Sequence, residues 1–395
     1  MLASDLDVTY SPNVLEVNLE AVAHNVREVR RVIGVQRTFF AVLKGNALGF
    51  GSVEVGKTAL SNGADALALV HVREAIRLRE AGITAPILLY GGNLGDTHAI
   101  QLAERYDLTV AVVDLESAQL HSQTAHTCVR VFVEIDAGLE RLGVPAEHAV
   151  DVVKEISRLP KLRLDGIFTH LLVDGMFADD NAEGENQIPP FIEWQLSRFA
   201  RLAEQLPEAG VSVPVVMAAS SPLVAAAPEA YLTAVDTGRL IYGLMPAVPP
   251  LVALDLQPAF HRLSSRLIQV REVHRSDFIA EAGFPIRAGM RIGIIPMGLA
   301  DGLDLLHCGE VLVRGSRVKV IGTFYEHARL DLTEVPSAEA GDRVVIIGDQ
   351  LDATISREEV VQAQTTRSPG GIVAVGGLGS AVREGVRRVY SVNPH

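Results

Sequence analysis

The sequence predicts an α/β fold: a (β/α)8 barrel of TIM type, followed by a mostly β C-terminal domain. Three observations predict it. Eight short apolar runs alternate with helical patterns between about Val35 and Pro246. The runs are rich in Val, Ile and Leu and lack polar alternation, as parallel strands covered on both faces do. After Pro246 the texture changes to strand-like runs with few helices. An open, doubly wound sheet competes for the first part, because periodicity does not report closure. The count of eight favours the barrel.

The eight runs, in order, are FFAVLK, ALALVH, PILLYG, LTVAVVD, CVRVFVEID, LDGIFTH, VPVVMAASS and VDTGRLIYG. Helical patterns separate them. In VREAIRLREAG, Val72, Ala75 and Ile76 share one face and Gly82 is a natural stop. The acidic stretch from Val173 to Pro190 follows the sixth run and reads as a surface loop rather than a lid. The proline-rich AVPPLVALDLQP connects a barrel domain, 12–247, to a C-terminal β domain, 255–395. In the latter, RLIQVREVH, RIGIIPMG, EVLVRG, RVKVIGTF and DRVVIIG read as strands. One late helix is signalled by SREEVVQAQ, in which Ser356 and Glu359 fit a capping box. No solenoid repeat or coiled-coil heptad is present.

Bulk properties narrow the function. The 395 residues are 48% hydrophobic and 21% charged, the composition of a soluble two-domain protein. The formal charge of −13 argues against a nucleic-acid partner, which calls for a concentrated basic face. No run of eighteen apolar residues suggests a membrane span. The start, MLASDLDVTY, lacks the basic region of a secretory signal. The two cysteines, Cys128 and Cys308, lie far apart, which fits a reduced, cytoplasmic protein. Neither has a metal-ligand spacing, the adjacent His307–Cys308 pair included, and no metal is expected.

In a barrel the reacting groups come from the C-terminal ends of several strands. Those ends carry Lys44; Glu134 with Asp136 and Arg141 just after; Thr169–His170; Ser220–Ser221; and Asp236 with Gly238 and Arg239. A lysine desolvated there is less basic, because burial disfavours its charged form. A neutral amine condenses with an aldehyde to a Schiff base. Ser221 and Gly238 expose backbone N–H groups at helix starts, which suits a phosphate. An aldehyde with a phosphate describes pyridoxal 5′-phosphate. The alternative for Lys44 is a solvated strand-end lysine.

Over nearly its whole length the sequence resembles the alanine racemase family, with its fold-type III pyridoxal-phosphate barrel. AVLKGNALGFG looks like the cofactor-lysine motif, and VEIDAGLERLGV is similar to the segment that carries the substrate-carboxylate arginine. GIFTHL, AASS, VDTGRLIYGLMP, IIPMGLADGL and GTFYEHARLDLTEV follow in family order. The resemblance implies a barrel with a C-terminal β domain and a Schiff base on Lys44. It also implies a head-to-tail homodimer that shares its sites. By the same resemblance Arg141 meets the substrate carboxylate, and His170 is the histidine after the sixth strand. Ser221, Gly238 and the backbone of Arg239 match phosphate positions.

Several positions depart from the family pattern. Leu48 stands where a tyrosine near the phosphate is usual, and SPGGIVAVGGLGS lacks a second one. The glycines of that stretch superficially match a dinucleotide fingerprint, but too few residues follow for a βαβ unit. Glu134 stands where the family often has a lysine modified to a carbamate, and supplies the same negative charge beside Arg141. The family returns the Cα proton on the second face with a tyrosine from the partner subunit. That position falls around Ala280–Gly283, where there is none. Glu281, Tyr325 and His327 are the candidates for the second base. Asp236 replaces the arginine that faces the pyridine nitrogen. An aspartate holds that nitrogen protonated and makes the ring a stronger electron sink. Asp236 and His170 are also candidates to pair.

The expected activity is that of a pyridoxal-phosphate isomerase, an amino-acid racemase or epimerase. A lyase or decarboxylase is the alternative on the same fold. A non-catalytic barrel with a binding or regulatory role is the alternative from a different class.

Overall fold

The computed structural model describes residues 11–91, 95–173, 188–246, 248–274, 286–301, 309–357, 359–360 and 387–391. It divides into two units. One comprises Leu19–Ala47 and Gly51–Ala259; the other comprises Met1–Asn18, Leu48–Phe50 and Phe260–His395.

The first strand, β1 (Val14–Asn18), belongs to the second unit. The first unit follows with a helix, Leu19–Ile33, and then β2 (Thr38–Val42), β3 (Ala66–Leu69), β4 (Ile87–Leu89) and β5 (Thr109–Val112). Next come β6 (Val129–Asp136), the short β7 (Val144–Pro145), β8 (Leu162–Phe168), β9 (Val215–Ala219) and β10 (Ala234–Thr237). The order is β5-β4-β3-β2-β10-β9-β8-β6, and β5 also pairs with β6, so the sheet closes. Every pairing in the ring is parallel. Its eight strands are the eight apolar runs, and the barrel is the closed alternative of the two.

Each strand sends alternate residues into the lumen. One interior layer takes a residue from every strand: Val42, Ala68, Leu88, Ala111, Phe132, Phe168, Met217 and Ala234. Three alanines offset two phenylalanines, so large and small side chains fill one cross-section. Phe40 meets Phe132 edge-on, with ring centroids 6.0 Å apart. Gly166 makes room for the same ring, since a Cβ there would lie 2.4 Å from Phe132 Cε1. Gly166→Ala is therefore expected to destabilise the barrel by about 1–3 kcal/mol, read as a lowered midpoint of urea unfolding.

On the outside, the helix Val72–Glu80 buries Ala75 and Leu78, and Gly82 at φ +86° ends the segment. Ile76, expected on the buried face, is only half-buried. Past the last strand, the fully buried Asn25 pins the connection. Its Nδ2 donates to Gln257 O at 2.7 Å and its Oδ1 accepts from Gln257 N at 2.7 Å.

The second unit is a largely antiparallel sheet. Its strands after β1 are β11 (Phe260–Arg266), β12 (Gln269–Glu272), β13 (Arg291–Ile295), β14 (Glu310–Val313) and β15 (Ser316–Thr323). They continue with β16 (Ala328–Asp331), β17 (Arg343–Gln350), β18 (Ala353–Ile355) and β19 (Arg387–Ser391). The order is β12-β13-β16-β15-β14-β17-β11-β1-β19, with β18 on β17. RLIQVREVH, read as one strand, is broken: Leu267 and Ile268 separate β11 from β12. β1 pairs antiparallel with β11 and parallel with β19, so a strand from the start of the chain completes the C-terminal sheet. Val273, Ile286, Met290, Ile292 and Ile321 pack as one apolar cluster. The Glu359 N–H donates to Ser356 Oγ at 3.0 Å, which is one half of the capping box expected there.

Among the described residues no helix is long and apolar enough to cross a membrane. Most of the acidic loop, together with Glu281, the His307–Cys308 pair and SPGGIVAVGGLGS, lies outside the described residues.

Candidate active site

The interior layer locates the barrel mouth. Two residues further along each strand, the same parity gives Lys44, Val70, Tyr90, Val113, Glu134, His170, Ala219 and Asp236. Below lies a layer that is wholly apolar; above lies one with five titratable side chains. The hydrophobic floor keeps water from the lumen beneath, and the polar layer faces the C-terminal end where barrel sites form.

Lys44 sits on an unusual turn. The Leu43 N–H still donates to Ala68 O at 2.9 Å, as if the strand continued. Gly45, Asn46, Ala47 and Leu48 then all lie in the left-handed region, with φ of 66°, 54°, 56° and 52°. For a residue with a Cβ this conformation costs roughly 1–2 kcal/mol, and it persists only where the surroundings impose it. They do. The Asn46 N–H donates to Glu74 Oε1 at 2.6 Å, and Asn46 Oδ1 accepts from Ser52 N at 3.0 Å. The Ala47 N–H donates to Leu43 O at 2.6 Å. From its place at a strand end the lysine is expected to be desolvated by burial. Lys44 is instead exposed, because the turn lifts it above the apolar layer. Any desolvation of this amine has to come from what binds over it.

Asp236 is the penultimate residue of β10 and is mostly buried. Its Oδ2 accepts a 2.6 Å hydrogen bond from the Tyr90 hydroxyl. Burial pushes the carboxyl up to about 7; the Tyr90 bond and nearby Lys44 work in the opposite direction, and Glu134 adds to the rise. Burial and the Asp236 charge hold the Tyr90 phenol well above its ordinary range. Tyr90 also packs on Phe168, with centroids 5.4 Å apart. It was missed as a site residue in the sequence. The signal was there: it follows Leu88 by two in PILLYG, at a strand end.

Glu134 is 4% exposed, and its carboxyl is pushed up by burial despite the Arg141 guanidinium 4.0 Å away. Arg141 itself is exposed and follows a turn built by Asp136, whose Oδ1 accepts from the N–H groups of Gly138 and Leu139 at 2.8 and 2.9 Å.

At the other side of the mouth, the Gly238 N–H donates to Ser221 Oγ at 3.1 Å. Ser221 opens the short helix Ser221–Ala226, and Gly238 precedes the 3-10 turn Arg239–Tyr242. The buried hydroxyls of Thr169 and Thr237, at the ends of β8 and β10, make no hydrogen bond among the described residues. Tyr325 and His327 are not in this layer. They sit on the exposed turn between β15 and β16, in the second unit. That turn packs on Gly298–Ala300, where the Leu299 and Ala300 N–H groups donate to Phe324 O and Tyr325 O at 3.0 and 2.7 Å.

The profile of "Alanine racemase, N-terminal domain" matches residues 17–246, and that of "Alanine racemase, C-terminal domain" matches 260–375. The chain belongs to the alanine racemase family. An alanine racemase of Methanococcus maripaludis is 32% identical over 352 residues, spanning 87% of this chain and 91% of the relative. One from Desulfosudis oleivorans is 34% identical over 381 residues, spanning 89% and 92%. Among solved structures, the alanine racemase of Clostridium difficile superposes with a TM-score of 0.83 at 25% identity, covering 97% of this chain and 96% of that one. That of Bacillus anthracis with bound L-Ala-P gives 0.80 at 28% identity, with 97% and 96% coverage.

Enzymes of this family are isomerases that use pyridoxal 5′-phosphate. The mouth fits that cofactor chemically. It has an amine on a rigid turn, a carboxyl in the same layer to face a ring nitrogen, and a hydroxyl beside a glycine amide to meet a phosphate.

Proposed function

We propose that the chain is a pyridoxal-phosphate-dependent enzyme acting at Cα of an amino acid, most simply a racemase or epimerase. The supporting observation is the single layer of Lys44, Tyr90, Glu134, His170 and Asp236 above an apolar floor. When bound, the cofactor supplies an aldehyde that links to amines and a ring that draws electrons from Cα.

The residues divide the work. Lys44 Nζ is the attachment point and the proton carrier on one face of Cα. Ser221 Oγ accepts from Gly238, so its own hydrogen is left to donate to the phosphate. The amide of Arg239 lies next in the chain. His170 stands in the same polar layer, at the end of the neighbouring β8. The Asp236 carboxylate holds a proton on the ring nitrogen, where opposite charge favours the charged form. Arg141 offers a planar donor pair to the substrate carboxylate, and Glu134 orients it. The second face needs a second base. Glu281, Tyr325 and His327 are the candidates, supplied by a partner subunit in a head-to-tail homodimer with shared sites.

Arg141→Ala is expected to raise KM for the amino acid by about tenfold to a hundredfold, with a smaller change in kcat, as for loss of a charge-assisted pair. Steady-state kinetics checks this.

One observation favours a second reading. A carboxylate rather than an arginine beside the ring nitrogen suits reactions that need a stronger electron sink, as lyases and decarboxylases do. Incubation with candidate amino acids in heavy water separates the readings. Deuterium at Cα with inversion supports the racemase. Cleavage of a carbon bond without inversion supports the lyase. Neither, with any amino acid, supports a non-catalytic barrel.

A further inference from the structure

We propose that Tyr90 is a positioning residue for this reaction: its hydroxyl holds one oxygen of Asp236, leaving the other for the ring nitrogen of the cofactor. The inference rests on the reading of Asp236 given above and extends it to a residue with no role there.

The geometry carries it. Tyr90 and Asp236 come from β4 and β10, which are not neighbours in the ring. Their bond therefore spans the lumen at 2.6 Å, a short charge-assisted distance. The Tyr90 ring is fixed at its base by Phe168, and the interior layer beneath is apolar. A phenol so placed has one hydrogen, and it is already committed to Oδ2. It cannot swing away without leaving a buried carboxyl oxygen unpaired, which costs about 1–3 kcal/mol. The residue's own N–H is a further donor to this carboxyl, but it comes from the same strand end and does not tie it across the lumen.

The other groups around Asp236 make the tyrosine necessary. Lys44 stands beyond β2 on one side, and Ala219 ends β9 on the other, with nothing to donate. Glu134 and His170 share the layer. Burial raises the cost of a carboxylate at Asp236, and the acidic Glu134 adds to it. Lys44, the cation that favours the carboxylate, would be engaged by the cofactor's aldehyde and no longer be a free ammonium. The Tyr90 hydroxyl then remains as a fixed donor to Oδ2. Without it, Asp236 would take up its own proton and cease to hold one on the ring nitrogen.

The test is Tyr90→Phe, which removes one oxygen and keeps the packing on Phe168. In the full-length chain freed of cofactor and labelled with 13C-carboxyl aspartate, the Asp236 resonance is assigned by its loss in Asp236→Asn. The proposal expects its titration midpoint to rise by about one pH unit in Tyr90→Phe. Replacing tyrosine by 3-fluorotyrosine, a stronger donor, is expected to move it downward. In the loaded enzyme, the acid limb of the visible-absorbance profile should move with it. An Asp236 midpoint that stays put in both proteins overturns the proposal, as does a change confined to thermal stability. Failure of the cofactor reading is seen separately: the carboxyl still titrates as described, but no visible band forms.

Discussion

Asp236→Asn is expected to lower kcat by about a hundredfold or more, while the empty chain becomes more stable at neutral pH. The first effect follows from removing a preorganised charge where the reaction develops charge. The second follows from the sign of the shift. The Asp236 carboxyl titrates at about 7 when folded and at its ordinary 3.8 when unfolded. Between those values the folded chain holds a proton that the unfolded chain has released. Its contribution to stability is fully present below about pH 4 and is lost as pH rises through about 7. Above that, the full cost of a buried carboxylate remains. Asparagine never ionises, so at pH 8 the variant should be more stable by on the order of 2–4 kcal/mol. Urea titrations of both proteins from pH 4 to 8 check it: the curves should converge at acid pH and separate toward alkaline pH.

Lys44→Ala should abolish turnover, by at least about a thousandfold, because it removes both the attachment point and a proton carrier. The fold should survive. Lys44 is exposed, and the left-handed turn is held by Asn46, Glu74 and Ser52 rather than by the lysine side chain. Single-turnover assays with an unfolding midpoint within a few degrees of the parent would establish that the loss is chemical. A variant that keeps even a tenth of the parent rate contradicts the assignment.

The barrel was legible in the sequence because its strands are buried on both faces and read as unbroken apolar runs. FFAVLK and PILLYG could hardly be anything else. The second unit was less legible. Phe260–Arg266 and Arg387–Ser391 mix charged or polar residues with single apolar ones, and sheet partners far along the chain make them strands. The β1 strand pairs with residues some 250 and 370 positions on, which no local pattern can report.

The site was legible where chemistry and strand ends coincide. Lys44, Glu134, His170 and Asp236 all emerge in one layer. The left-handed turn after Lys44 was visible only as glycines; that Asn46, Ala47 and Leu48 share the conformation is a tertiary effect, imposed partly by Glu74. Tyr90 was missed because nothing in its local sequence sets this strand-end tyrosine apart. Its role comes from Asp236, which lies 146 residues away in sequence. Tyr325 and His327, singled out for titratable groups, emerge on an exposed turn of the other unit.

The most direct measurement of the central claim is borohydride reduction of the protein loaded with pyridoxal 5′-phosphate, followed by peptide mapping. The account predicts loss of the visible band and one irreversibly labelled residue, Lys44. A protein that binds no cofactor, or one whose label falls on any other lysine, would contradict it.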